Sequence, residues 1–207
     1  MGTNARHARQ RGPLLRHVAA GILAMLAAST SAAAPKARTQ SVTTADTLPV
    51  ARPDFPRPSD PKMLFFIQRS MNSNTVVYAA TSAAGKLDCR QPLKVFWRRF
   101  NTTGERKPLN LLERTMAYGI KSRRTNRAGE CEIRFVAVPD RTAILRRADD
   151  GRLELSMVMG GRTVTPVYAY VEVNESGLMQ TVDRVRLYGL DKGSGEAVVE
   201  TIEAPKH

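Results

Sequence analysis

Imidazole is almost missing from this chain of 207 residues: its three histidines are His7, His17 and His207. Between His17 and His207 no side chain titrates near neutrality unless its surroundings shift it, which excludes Ser-His-Asp and Cys-His hydrolase chemistry and His-ligated zinc. Cysteine is nearly as scarce, with Cys89 and Cys131 alone, too few to close a four-sulfur metal site. Long apolar runs are lacking as well. The run Val18 to Ala28 is shorter than the roughly 17 to 25 residues that a helix needs to cross a bilayer. No cofactor is expected from such an inventory, and no metal ligand set stands out. Catalysis by a carboxylate pair or a lysine-assisted nucleophile stays open.

What is present begins with an address. Arg6, Arg9, Arg11 and Arg16 precede that apolar run, and the small residues Ser29 to Ala34 follow it. This is the layout of a secretory signal peptide. Cleavage is expected at Ala33/Ala34, giving residues 1–33 as signal peptide, a periplasmic or secreted product and no transmembrane segment after processing. Processing removes four arginines and no acids, so a net charge of +13 becomes +9 and the mature chain stays basic. Residues 34–61 then carry Pro35, Pro49, Pro53, Pro56, Pro58 and Pro61, with Leu48, Val50 and Phe55 as the sizeable apolar side chains. Such a composition is expected to form a disordered, partly polyproline-like leader. Residues 62–207 are of ordinary single-domain size. In an oxidising compartment Cys89 and Cys131 are a candidate disulfide, closing a loop worth about 4 kcal/mol on the chain-entropy argument. Two unrelated thiols are the alternative.

Apolar and polar residues alternate over 64–69, 75–80 and 93–100, then over 117–123, 132–138, 142–147, 152–159, 167–173, 182–187 and 198–202, as half-buried strands do. Leu93, Val95 and Trp97 share one face of their strand while Phe96 and Phe100 occupy the other, so both faces must meet something apolar. One segment departs from this period. Leu109, Leu112 and Met116 recur at helical spacing behind Pro108, which predicts a short helix near 108–116. The expected fold is mainly β, an antiparallel meander closed as a barrel or folded as a two-layer sandwich.

Charge is unevenly distributed. From Arg90 to Arg147 there are 15 Lys or Arg against 5 Asp or Glu, whereas 148–207 carry 6 against 10. The basic half, densest over Lys121 to Arg127, is a candidate anion-binding surface, although solvated strand faces are often merely basic. Nucleic acid is not the expected partner of an exported chain. Anionic lipid, glycolipid or acidic glycan fits the address better.

The run Met63 to Tyr78 (MLFFIQRSMNSNTVVY), Pro92 to Trp97, Leu109 through Lys121, and Val185 to Asp191 followed by Val198 to Glu200 resemble, in that order, the bacterial exported domain-of-unknown-function family number 4833. The resemblance implies a single exported domain with no assigned activity, and it supplies no catalytic residues. The family pattern requires neither cysteine, so a disulfide would be particular to this chain.

Within the opening run, Arg69, Asn72 and Asn74 are candidates to line a polar mouth, with the guanidinium offering a planar fork to carboxylate or phosphate. Asn72 and Asn74 equally suit a hairpin turn. Arg114, Tyr118 and Lys121 flank the helix-to-strand junction and are candidates to converge with them. Tyr78, Phe96, Trp97, Phe100, Tyr118, Tyr168, Tyr170 and Tyr188 are either core or the lining of an apolar pocket. Three functions follow in order of preference: a non-enzymatic exported domain that binds an anionic envelope component, a small-barrel carrier of an apolar ligand, and a cell-wall or glycan enzyme using Glu113, Glu130 or Glu132. The last is disfavoured because neighbouring arginines suit salt bridges better than a general acid.

Overall fold

Period-two alternation rich in Val, Ile, Phe and Tyr gives strands that bury one face and find cover for the other. A computed structural model describes residues 38–42, 48–81, 87–176 and 180–204. The segment read as a signal peptide and its cleavage junction lie outside them. Strands β1 (Arg38–Val42), β2 (Met63–Arg69), β3 (Asn72–Ala80), β4 (Leu93–Arg98) and β5 (Arg106–Pro108) precede the short helix α1 (Leu111–Met116). Then come β6 (Ile120–Arg124), β7 (Glu130–Phe135), β8 (Val138–Arg147) and β9 (Leu153–Met159), followed by β10 (Arg162–Asn174), β11 (Thr181–Asp191) and β12 (Ala197–Glu203). The chain is mainly β with one short helix, as expected, and its sheet curls into a half-barrel.

The sheet is mixed where a plain meander would be antiparallel throughout. Its path runs β5-β4-β3-β2-β10-β9-β8-β7-β6, with β11 on the other edge of β10, β12 beside β11 and β1 beside β12. Along one edge of β10, residues Arg162 to Val164 pair with β9, and Tyr168 to Val171 pair in parallel with β2. Pro166, which has no N–H to give to a ladder, stands where the partner changes. Thus two wings, β2 to β5 and β9 to β6, spring from one shared strand. The β9–β10 turn is a two-residue hairpin, and Gly160 and Gly161 both take positive φ there, 54° and 80°, as a turn matched to the strand twist requires.

The concave side holds one core to which both wings contribute. Phe65, Ile67, Val76, Tyr78, Trp97, Ile133, Phe135, Leu145, Leu155, Val164 and Leu187 are all buried in it. Phe65, Tyr78 and Phe135 form a ring cluster with centroids 5.4 to 5.6 Å apart. Cys89 and Cys131 are joined, Cα atoms 5.4 Å apart, and so cross-link the segment after β3 to β7 in the opposite wing.

Residues of opposite parity build a second cluster on the convex side: Phe66, Val77, Ala79, Phe96, Tyr168, Tyr170 and Tyr188. Phe66, Tyr168 and Tyr188 stack across three adjacent strands, with centroids 5.2 and 4.2 Å apart and planes within 10°. The stretch expected to be a disordered leader supplies part of the cover. Leu48 and Ala51 pack against these rings, the Ala51 N–H donates to the Tyr168 hydroxyl at 3.2 Å, and that hydroxyl donates to the Pro49 carbonyl. Further along, Gln68 Nε2 donates to the Pro56 carbonyl at 3.2 Å and Asp60 pairs with Arg106. Prolines have little backbone freedom to lose and their carbonyls stay available as acceptors, so a proline-rich segment can lie on an aromatic face without any strand ladder. Earlier in the same stretch, β1 pairs antiparallel with β12.

Candidate functional site

Strands β2, β3 and β4 carry their inward-facing apolar series to one end of the half-barrel, where the pattern turns polar. Ile67 is followed two residues on by Arg69, Trp97 by Arg99, and Val76 is preceded by Asn74. The Arg69 guanidinium carbon lies 4.8 Å from the centre of the buried Trp97 ring, and that of Arg99 lies 5.4 Å from it. Tyr118 completes the group. Its ring meets Trp97 edge-on at 5.1 Å, its hydroxyl accepts from Arg69 Nη1 at 3.3 Å, and its carbonyl accepts from the Tyr78 hydroxyl at 2.9 Å. Burial pushes the Tyr78 hydroxyl far above its ordinary value, which keeps it a donor. Neither Arg69 nor Arg99 has a carboxylate within ion-pair distance among the described residues. Arg69 Nε and Trp97 Nε1 are buried without a hydrogen-bond partner.

Two guanidiniums on one indole form an electropositive recess at this end of the half-barrel, and such a pair favours a planar or tetrahedral oxyanion. Gly119 lets the chain turn into it: a Cβ there would sit 1.8 Å from the Arg114 carbonyl oxygen, so only glycine fits behind Tyr118. Of the six residues singled out from sequence, Arg69 and Tyr118 meet here. Asn72 and Asn74 do hairpin work at its edge. Asn72 Oδ1 accepts from the Asn74 N–H at 3.1 Å, and Asn74 Oδ1 accepts from the Asn101 N–H at 3.2 Å, which ties the β2–β3 turn to the one after β4. Arg114 turns back to the Leu109 carbonyl at 3.4 Å. Lys121 lies apart, in an exposed groove of β6 and β7 with Arg123, Glu132 and Arg134. Trp97 is among the aromatic residues expected in the core or an apolar pocket, while Arg99 escapes the sequence reading although the inward parity of Leu93, Val95 and Trp97 points straight to it.

The eight aromatic residues do not form one pocket. Tyr78, Trp97 and Tyr118 belong to the concave core, and Phe96, Tyr168, Tyr170 and Tyr188 to the convex cluster. Nor do the carboxylates pair for acid–base work. Glu113 caps α1, exchanging bonds of 2.8 Å with Asn110 in a capping box. Glu132 is held below the ordinary glutamate value by the Arg123 side-chain hydrogen bond and by Arg134, the opposite of what a general acid requires. Among the described residues no cluster of three His, Cys, Asp or Glu side chains could hold a metal. No helix there is long and apolar enough to cross a membrane.

A family model described as a domain of unknown function, DUF4833, matches residues 65–201. The chain belongs to the DUF4833 family. That match runs from β2 to β12 and so contains the whole recess, from Arg69 to Tyr118, as well as both cysteines and the shared strand β10. No curated protein and no solved structure matches the chain. The DUF4833 description names no activity.

Proposed function

We propose that this DUF4833 protein is an exported, non-catalytic binding domain whose Arg69–Trp97–Arg99–Tyr118 recess takes an anionic group of the cell envelope, a phosphate or carboxylate carried by lipid or glycan. The observation that carries this reading is the pair of guanidiniums resting on one indole with no carboxylate to neutralise them. Arg123, Arg134, Arg141, Arg184 and Arg186 meet carboxylates directly, whereas Arg69 and Arg99 keep their charge for a ligand. The N-terminal address and the Cys89–Cys131 bond support export, because such bonds persist in oxidising compartments. A carrier of apolar ligands draws no support from the concave side, where Val76, Ile133, Leu145 and Val164 are wholly buried among neighbours.

The test is retention of the processed protein on immobilised anionic lipid and acidic glycan at low and high salt. Retention should fall as salt rises. Arg69→Gln should weaken it by roughly tenfold or more, the loss of a charge-assisted bond. Binding indifferent to both salt and Arg69→Gln would overturn the reading.

A further inference from the structure

Helix α1 contradicts the usual logic of amphipathic helices: its apolar side chains face outward. Leu111, Leu112 and Met116 are 76, 69 and 70% exposed, and no residue of the helix is buried. They are the most exposed large apolar side chains among the described residues. The helix is nonetheless firmly placed. Asn110 and Glu113 lock its first turn, Leu109 just before it is buried in the concave core, and Tyr118 just after it packs on Trp97. Three apolar side chains therefore project from a rigid base whose two anchors sit in or beside the cationic recess. The nearby charge has one prevailing sign. Lys107 and Arg114 are exposed and have no carboxylate partner among the described residues, and Arg69 and Arg99 lie at the foot of the projection. Glu113 is turned into the cap.

The geometry points to a membrane-docking tip: Leu111, Leu112 and Met116 enter the acyl boundary of an anionic leaflet, while Arg69, Arg99, Lys107 and Arg114 meet its phosphate headgroups and Trp97 and Tyr118 lie near the interface. This deepens the proposed function and rests on it, choosing lipid over glycan as the source of the anion. Charge complementarity decides the occupant, because an anionic leaflet supplies apolar depth and phosphate together. A second copy of the chain would bring the same positive charge to the contact.

The experiment is co-sedimentation of the processed protein with vesicles of phosphatidylcholine alone or mixed equally with phosphatidylglycerol, alongside binding to a soluble acidic glycan. Wild type should bind the mixed vesicles and not the neutral ones. The triple variant Leu111→Ser, Leu112→Ser, Met116→Ser should lose at least about tenfold in vesicle partitioning with an unchanged melting curve and unchanged glycan binding. Met116→Trp should show blue-shifted indole emission on the mixed vesicles. Glycan binding with no vesicle binding, or vesicle binding unaffected by the serine variant, overturns the docking tip and leaves the recess standing. Loss of all anion binding at low salt sinks the recess and the tip together. Concentration-dependent dimers abolished by the serine variant would assign the helix to a second copy instead.

Discussion

Two populations of arginine share this molecule. On the shared strands and the β6 to β9 wing, guanidiniums meet carboxylates: Arg141 grips the buried Glu200 at 2.5 and 3.2 Å, Arg184 and Arg186 converge on Glu172, and Arg123 and Arg134 flank Glu132. On the β2 to β5 wing, Arg69 and Arg99 lie over Trp97, and Arg98 over Phe100. The first population is spent on structure and the second is not. Some of the remaining basicity is explained by sheet edges. The short strands β5 and β6 end the nine-strand path and carry Lys107, Lys121 and Arg124, charges that discourage pairing with another chain. A surplus of positive residues therefore says little until each is assigned to pairing, edge protection or an unneutralised recess.

Removing the cross-link between the wings tests the comparison hardest. Cys89→Ser with Cys131→Ser should lower stability by about 4 kcal/mol in urea unfolding. If the recess depends on how the wings are held together, anion binding should weaken with it. Next comes the buried pair. Glu200, 1% exposed, leaves Arg141 half-stranded when changed to alanine, for a loss of about 2 to 3 kcal/mol. That is less than for a fully buried pair because Arg141 retains some solvent. The ring-stacked population should behave otherwise: Arg99→Gln should cost under about 1 kcal/mol in the same assay while reducing anion binding. A large stability loss there would erase the distinction. Glu196→Ala, which breaks a half-exposed pair with Arg162, should stay within about 0.5 kcal/mol.

Acid gives a further way to separate the two populations. The Glu132 carboxyl titrates below its ordinary value near 4.5, so the unfolded chain takes up this proton first as pH falls. Its contribution is complete above that value and is lost as pH drops through the lowered folded one. Glu132→Gln should therefore flatten the fall in stability below about pH 4.5. Arg69→Gln should leave that slope untouched, and acid titrations of the thermal midpoint would read the contrast.

Much of the fold could be read from local pattern. Alternation located ten of the twelve strands among the described residues, and Phe96 opposite Trp97 foretold cover on both sheet faces. The parallel pairing of β2 with β10 could not be read this way, because it joins distant segments whose own patterns name no partner. Nor could the cover formed by residues 48–61, since proline removes the periodicity that sequence reasoning uses. The helix was placed correctly while its periodicity suggested a core-facing stripe. Of Leu109, Leu112 and Met116, only Leu109 is buried. The recess was half legible: Arg69 and Tyr118 were named, but their meeting depends on Trp97 being shared between β4 and the turn after α1, which is a tertiary fact.

The β1–β12 ladder, Arg38 opposite Thr201 to Val42 opposite Ala197, gives the molecule a temporal order. Because a polypeptide emerges amino end first, β1 waits for its partner until β12 has been made, and Phe66 waits for Tyr168 of β10. The early hairpin β2–β3 must survive that interval with both apolar surfaces uncovered, the condition under which nascent chains aggregate. Closure of the sheet therefore waits on β10 and β12, and any factor that shields β2–β3 in the meantime should raise the yield of native protein more than it alters final stability.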